Sequence, residues 1–141
     1  MGADSVTLLW VDDDSFDSLD PLARRLRRAN FHLDRAVDYT EAMAKLSADS
    51  FHSILLDVIL PRAKGSAVLT YDLGMILADE AAKKGVKNIV FLSVVQQEEV
   101  FENYYTLKGK YDEGINFSYL DKTRLLEPHF IDDMIGRLRK D

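Results

Sequence analysis

The stretch from Ser53 to Asp57 reads SILLD, a run of apolar residues that stops at a single carboxylate. Two other largely apolar stretches also end near charged residues: LLWV from Leu8 to Val11 stops at the acidic run Asp12-Asp13-Asp14, and FSYL from Phe117 to Leu120 comes just before Lys122. Continuous apolar runs are typical of strands in a parallel sheet that is covered by helices on both faces. In such sheets ligands bind outside the carboxyl ends of the strands. The sequence therefore predicts that these carboxylates and the lysine converge on one small polar site.

Outward from these stretches, apolar runs alternate with helical patterns along the chain. The alternation predicts five strand–helix units, a parallel sheet with right-handed crossovers and one domain over residues 1–141. Asp38 with Glu41 resembles a capping box at a helix start, and Gly85 is well placed to end a helix. The predicted strands are Val6–Val11, Phe31–Val37, His52–Leu56, Asn88–Ser93 and Ile115–Leu120, and the predicted helices are Ser15–Ala29, Asp38 to about Leu46, Ser66–Lys84, Gln96–Leu107 and Glu127–Arg139.

Composition excludes several classes of protein. Hydrophobic residues make up 47% and charged residues 30% of the 141 residues, which is typical of a globular protein. The net charge of −6 argues against direct nucleic-acid binding, which depends on clustered positive charge. The absence of cysteine excludes disulfides and thiolate metal sites. No apolar run is long enough to cross a membrane and the first residues lack a secretory signal, so a cytoplasmic location is expected.

The acidic run Asp12-Asp13-Asp14 suits a hard divalent cation, because neighbouring carboxylates repel each other unless a cation offsets their charge. Mg²⁺ prefers oxygen ligands and needs only one or two carboxylates beside waters and phosphate. Alternatively, Asp14 or Ser15 caps the first helix. Asp57 is more specific, since nothing near it in sequence neutralises a charge at the end of an apolar strand. It could bind the cation or attack phosphorus as a nucleophile.

Ser93 and Lys122 close the next two apolar runs. The Ser93 hydroxyl could donate to a phosphoryl oxygen, or bond only to its own loop backbone. The Lys122 ammonium is a compact cation on a flexible stem, suited to pairing with phosphate or with Asp57.

Taken together, these residues resemble the receiver domain of two-component response regulators over essentially the whole chain. The family pattern is an acidic pair after the first strand, a phosphoacceptor aspartate after the third, Thr or Ser after the fourth and lysine after the fifth. An aromatic residue stands three positions before that lysine. The matching residues in this sequence are Asp12 and Asp13, Asp57, Ser93, Lys122 and Tyr119.

The resemblance implies a doubly wound, flavodoxin-like α/β fold with strand order 2-1-3-4-5 and helices on both faces. It implies that Asp57 takes a phosphoryl group from a phosphohistidine on a sensor histidine kinase or phosphotransfer protein. Mg²⁺ would be held by Asp12, Asp13, Asp57 and the backbone carbonyl of Ile59. The domain would catalyse its own phosphorylation and dephosphorylation without being an enzyme in the ordinary sense.

The resemblance also implies a switch, in which Ser93 is drawn toward the phosphoryl group and Tyr119 turns inward. The face formed by the fourth helix, fifth strand and fifth helix would then bind a downstream protein, an output domain outside this sequence, or a second copy as a homodimer. Alternatively, Tyr119 is an ordinary strand aromatic. Three positions depart from the family pattern: Thr123 replaces a proline, Lys64 replaces an acid, and Val94 replaces a smaller residue.

Two other functions remain open from the sequence. A degenerate receiver would keep the fold and act as a phosphorylation-independent interaction module; the presence of Asp57, the acidic pair and Lys122 disfavours it. A phosphohydrolase of the haloacid-dehalogenase type would use Asp12 and Asp14, with Ser93 and Lys122 as its later motifs. That alternative leaves Asp57 without a role.

Overall fold

The computed structural model describes residues 6–12, 20–61, 69–111 and 114–140. Five strands and five helices alternate within them, with a single 3-10 turn at Lys122–Arg124 and two extended pairs of residues, Leu60–Pro61 and Leu69–Thr70, that form a short antiparallel ladder. The strands are Val6–Val11 (β1), Phe31–Ala36 (β2), Ser53–Leu56 (β3), Asn88–Ser93 (β4) and Asn116–Asp121 (β5); the helices are Asp20–Arg28 (α1), Tyr39–Ala48 (α2), Tyr71–Lys83 (α3), Glu98–Lys110 (α4) and Phe130–Leu138 (α5).

The five strands form one parallel sheet in the order β2-β1-β3-β4-β5. This confirms the predicted doubly wound α/β fold and its strand order 2-1-3-4-5. The register places Val11 beside Leu56, and Leu56 beside Phe91. The residues that follow β1 and β3 therefore leave the sheet at the same level, next to the end of β4.

Two apolar cores lie on opposite faces of the sheet because successive strand residues point to opposite sides. Leu9, Val11, Ile54 and Leu56 face the core that α2, α3 and α4 cover. Trp10, which is fully buried, belongs to the other core, under α1 and α5. No helix in the described part of the chain is long and apolar enough to span a membrane.

Helix termini follow the local sequence signals in part. The Asp38 side chain accepts a hydrogen bond from the Glu41 amide at 2.7 Å, and Glu41 Oε2 accepts one from the Val37 amide at 3.4 Å, so the predicted cap is confirmed. Gly85 follows α3 with a φ of 86°, a left-handed conformation that glycine adopts without strain.

The predicted start of α3 at Ser66 is wrong. Leu69–Thr70 is extended because it pairs with Leu60–Pro61, and the helix begins at Tyr71. The fifth helix also begins later than predicted, at Phe130, since His129 before it has a φ of 71° and breaks the helical path. Residues 13–19, where the first helix was predicted to begin, lie outside the described residues.

A buried polar cluster holds the end of α5 against the amino-terminal ends of β3 and β4. The Asn88 amide nitrogen lies 2.9 Å from the Leu138 carbonyl and 2.6 Å from the Lys140 carbonyl. The Ser53 hydroxyl also donates to the Leu138 carbonyl, and Asn116 donates to the Asn88 side-chain oxygen at 2.9 Å. The last carbonyls of a helix have no partner within the helix, so this cluster satisfies them.

We expect Asn88→Ala to lower the free energy of unfolding by about 3 kcal/mol, because the buried Leu138 carbonyl loses one of its two donors and the partly buried Asn116 side-chain amide loses its acceptor. Urea denaturation followed by circular dichroism measures the change. Asn103→Ala, at an exposed position on α4, is the control and should change the value by less than about 0.5 kcal/mol. A loss below about 1 kcal/mol for Asn88→Ala would contradict the assigned role.

Candidate functional site

Four polar residues meet at the carboxyl ends of the strands. Asp12 follows β1, Asp57 follows β3, Ser93 ends β4, and Lys122 follows β5. All four are buried: their exposed fractions are 1%, 7%, 0% and 9%. The predicted convergence of these side chains on one site is what the fold produces, because β1, β3, β4 and β5 are consecutive neighbours in the sheet.

Lys122 lies between the two carboxylates. Its Nζ donates to Asp12 Oδ2 at 2.7 Å and lies 3.6 Å from Asp57 Oδ2. One buried ammonium beside two buried carboxylates leaves excess negative charge in a region of low dielectric. This imbalance makes the site electrostatically suited to a further cation.

The other oxygen of Asp57 accepts two hydrogen bonds. The Ser93 hydroxyl donates to Asp57 Oδ1 at 2.7 Å, and the Ile59 amide donates to the same oxygen at 3.2 Å. The carboxylate is thereby oriented from both sides, with Ser93 and Ile59 on Oδ1 and Lys122 facing Oδ2. A carboxylate oriented in this way next to a cation can serve chemically as a ligand for a metal ion or as a nucleophile.

Ser93 links the carboxylate to the loop after β4. Its oxygen accepts a hydrogen bond from the Val95 amide at 3.2 Å while its hydroxyl donates to Asp57. The Val95 carbonyl in turn accepts a hydrogen bond from the Tyr119 hydroxyl at 2.7 Å. A continuous chain of hydrogen bonds therefore runs from Asp57 to Tyr119 through Ser93 and Val95.

Tyr119 is half-buried against other aromatic side chains. The centroid of its ring lies 4.9 Å from that of Phe101, 5.5 Å from that of Tyr104 and 5.8 Å from that of Phe91. Burial raises the pKa of Tyr119 to about 12 and that of Tyr104 also to about 12. Both phenols therefore stay neutral in the folded protein at pH values where a free tyrosine ionises.

These two tyrosines predict a loss of stability in alkali. An unfolded tyrosine has a pKa near 10 and the folded pKa is raised, so the stabilisation is complete below about pH 10 and is lost as the pH rises toward 12. We expect the free energy of unfolding to fall by about 2 kcal/mol for each tyrosine as the pH rises from about 10 to 12. Urea denaturation from pH 9 to 12 should show a shallower loss for Tyr104→Phe than for the wild type. Tyr105→Phe, at a 64% exposed residue, should keep the wild-type profile; equal slopes in all three proteins would contradict the prediction.

The oxygen donors at the site fit Mg²⁺ chemically. Two buried carboxylates, Asp12 and Asp57, lie at adjacent strand ends, and hard oxygen donors of this kind are those that Mg²⁺ prefers. Asp13, predicted as a third ligand, lies outside the described residues, as does Asp14. Within residues 6–12, 20–61, 69–111 and 114–140, no three acidic or histidine side chains are grouped closely enough to bind a metal ion together. The fit therefore rests on Asp12 and Asp57.

Two of the departures from the family pattern have a described structure. Thr123 lies in a 3-10 turn whose cap is Asp121, which accepts hydrogen bonds from the Thr123 amide at 3.0 Å and from its hydroxyl at 2.7 Å. Val94 is 55% exposed and points away from the packed core. Lys64 lies outside the described residues.

Two residues near the site were missed by sequence reasoning. The link through Val95 uses only backbone groups, which leave no signal in the sequence. The second is Gly74 in α3. Its amide donates to the carbonyl of Val58, the residue that follows Asp57, at 3.3 Å. An isolated glycine inside a helical pattern is the signal that could have drawn attention to it.

No protein-family model matches the sequence, and no curated protein sequence matches it. Solved structures do match. A two-component response regulator from Clostridium difficile is 19% identical, with a TM-score of 0.69 and coverage of 95% of each chain. A receiver domain protein from Methanospirillum hungatei is 20% identical, with a TM-score of 0.68 and coverage of 96% of this chain and 91% of that one.

A third match is the receiver domain of a sensor histidine kinase from Pseudomonas aeruginosa, which has a magnesium ion coordinated in its active-site cleft. It is 18% identical, with a TM-score of 0.66, and the match covers 96% of this chain and 98% of that one. All three matches cover at least 95% of this chain. At identities of 18% to 20%, such a likeness shows a shared fold. The chain therefore has the fold of the receiver domains of two-component response regulators.

Proposed function

We propose that the chain is a single phosphoacceptor receiver domain of a two-component phosphorelay, and that Asp57 is the acceptor. One observation carries the proposal: the buried Asp57 carboxylate lies between the Ser93 hydroxyl at 2.7 Å and the Lys122 ammonium at 3.6 Å. A hydrogen-bond donor and a cation on either side of one carboxylate are the groups that a transferring phosphoryl group needs.

In the proposed reaction a carboxylate oxygen of Asp57 attacks the phosphorus of a phosphohistidine on a sensor histidine kinase or phosphotransfer protein. The new O–P bond forms as the P–N bond breaks, and the histidine ring nitrogen keeps the electron pair. The product is an acyl phosphate on Asp57. Lys122 offsets the negative charge of the phosphoryl oxygens, and Ser93 donates a hydrogen bond to one of them.

Asp12, Asp57 and the Ile59 carbonyl, with Asp13, would hold Mg²⁺ at this site. When bound, Mg²⁺ would neutralise negative charge on the phosphoryl oxygens during the transfer. Asp12 also holds Lys122 in place through the 2.7 Å ion pair. Ile59 belongs to the set because its amide already contacts Asp57, which brings that stretch of backbone beside the carboxylate.

The hydrogen-bond chain supplies a route from the site to the surface. Tyr119 lines a groove of about 740 Å³ between α4 and α5, together with Phe101, Phe130, Arg124 and Arg137. Movement of Ser93 toward a phosphoryl group would alter the Val95 loop and so the seat of the Tyr119 hydroxyl. The groove would then change its affinity for a downstream protein, an output domain or a second copy of the chain. Such a phosphorelay would place the protein in the cytoplasm.

The test is incubation with acetyl phosphate and Mg²⁺, followed by intact-protein mass spectrometry and mapping of the modified residue after borohydride reduction. We expect one phosphoryl adduct, located at Asp57 and lost when Mg²⁺ is removed. No adduct and no release of inorganic phosphate would overturn the proposal in favour of a phosphorylation-independent interaction module. Release of phosphate that depends on Asp12 but not on Asp57 would instead support the phosphohydrolase alternative.

A further inference from the structure

Gly74 brings the backbone of α3 into direct contact with the backbone that carries Asp57. A Cβ atom at position 74 would lie 2.5 Å from the Cα and the carbonyl oxygen of Val58, and 2.7 Å from the carbonyl oxygen of Asp57. These separations are far below van der Waals contact. The atoms that would collide belong to the backbone, so no rotation of a side chain could relieve them.

The other helical glycines of the described chain show that this contact is particular to Gly74. Gly109 in α4 and Gly136 in α5 have no atom within 4 Å of the position of an added Cβ. Glycine lowers helix stability relative to alanine wherever it occurs inside a helix. At position 74 the close approach accounts for that cost, and at positions 109 and 136 nothing in the structure does.

Helix α3 cannot easily move away to make room for a side chain. Leu73 and Leu77, on either side of Gly74, are 5% and 0% exposed and belong to the core on that face of the sheet. Tight packing makes the displacement of such a helix costly. An added methyl group would therefore push on the Asp57–Val58 segment.

That segment is held from both sides in the present structure. The Asp57 amide donates to the Val11 carbonyl of β1 at 3.2 Å, and the Val58 carbonyl accepts from the Gly74 amide at 3.3 Å. The Asp57 side chain leaves the backbone between these two anchors. Its contacts with Ser93 and Lys122 therefore depend on where α3 holds Val58.

We propose that Gly74 is a positioning residue for the phosphoacceptor. Only glycine at this position lets α3 pack directly against the Asp57–Val58 backbone, and that backbone places the Asp57 carboxylate between Ser93 and Lys122. The inference rests on the proposed function of Asp57 for its kinetic consequence, whereas its geometric consequence is independent of phosphorylation.

The experiment compares Gly74→Ala with Gly109→Ala and Gly136→Ala. At saturating acetyl phosphate and Mg²⁺, we expect the rate of phosphoryl uptake by Gly74→Ala to fall about 10- to 100-fold, with little change in the donor concentration at half-maximal rate. The two controls should keep the wild-type rate. The Asp57 ¹³Cγ resonance and the Ile59 amide resonance, recorded without any phosphodonor, should shift in Gly74→Ala and stay unchanged in both controls.

The two readouts separate this inference from the proposed function. If the wild type takes up no phosphoryl group, the proposed function fails, and the resonances still decide the role of Gly74. If Gly74→Ala keeps both the wild-type rate and the wild-type resonances, the inference is overturned while the proposed function stands. The same substitution is also made in the Gly109→Ala/Gly136→Ala background, whose helices are expected to be more stable. Failure to fold in both backgrounds would contradict the proposal, because Gly74 would then be a requirement of folding rather than of Asp57 placement.

Discussion

Asp57→Asn should abolish the phosphoryl adduct that acetyl phosphate and Mg²⁺ produce on the wild-type protein. The asparagine side chain is nearly the same size as the carboxylate. Its oxygen can still accept hydrogen bonds from the Ser93 hydroxyl and the Ile59 backbone N–H, which donate to Asp57 Oδ1 in the wild type at 2.7 Å and 3.2 Å. It is not a nucleophile toward phosphorus at neutral pH. The variant should therefore lose the reaction and keep the fold.

Asp57→Asn should also leave the free energy of unfolding unchanged or raise it by about 1 kcal/mol. The reason is that the buried carboxylates of Asp12 and Asp57 share the Lys122 ammonium in the wild type. Intact-protein mass measures the first effect and urea denaturation the second. Asp34→Asn, at a partly exposed residue paired with Lys45, is the matched control and should retain the adduct in full. An adduct that persists in Asp57→Asn would show that the phosphoryl acceptor is another residue.

Lys122→Met should weaken both stability and phosphoryl uptake. The substitution removes a buried ammonium that lies 2.7 Å from Asp12 and 3.6 Å from Asp57. Loss of one partner from a buried ion pair costs about 3 to 5 kcal/mol, because the remaining charge is left in a region of low dielectric. Loss of a positive charge that stabilises the transferring group should slow uptake about 100-fold or more.

The matched control is Lys45→Met, which breaks a partly exposed ion pair with Asp34 and should cost less than about 1 kcal/mol. Added Mg²⁺ should restore part of the stability of Lys122→Met and stabilise the wild type less, because a cation bound to the folded state alone raises its stability. A Lys122→Met protein as stable as Lys45→Met, with a wild-type rate of uptake, would show that Lys122 has no part in the site.

The architecture could be predicted from the sequence because its strongest signals are local. Buried strands such as β3 and β4 read as unbroken apolar runs, and a strand–helix alternation permits few topologies. Polar residues directly after such runs, Asp57 and Lys122 among them, could be predicted to meet since parallel strands end at one edge of the sheet. Their roles in phosphoryl transfer stay predictions until the adduct is measured.

Other features could not be predicted because they depend on contacts between distant backbone groups. The helical pattern around Leu69–Thr70 does not show that these residues pair with Leu60–Pro61 instead. Nor does the composition of the loop after β4 show that the Val95 carbonyl accepts from Tyr119. The cluster around Asn88 joins the start of β4 to the end of a helix fifty residues later in the sequence, and neither segment alone carries a sign of it.

The Ser93 hydroxyl has only one hydrogen atom, and at present Asp57 receives it. A second acceptor at the site can be served only by taking that hydrogen from the carboxylate, so the two states of the hydroxyl are mutually exclusive. The lone pairs of the same oxygen remain available to the Val95 amide in either state. The acceptor of this single hydrogen would therefore differ between the two states of the site: it is the Asp57 carboxylate now, and it would be a phosphoryl oxygen after phosphorylation.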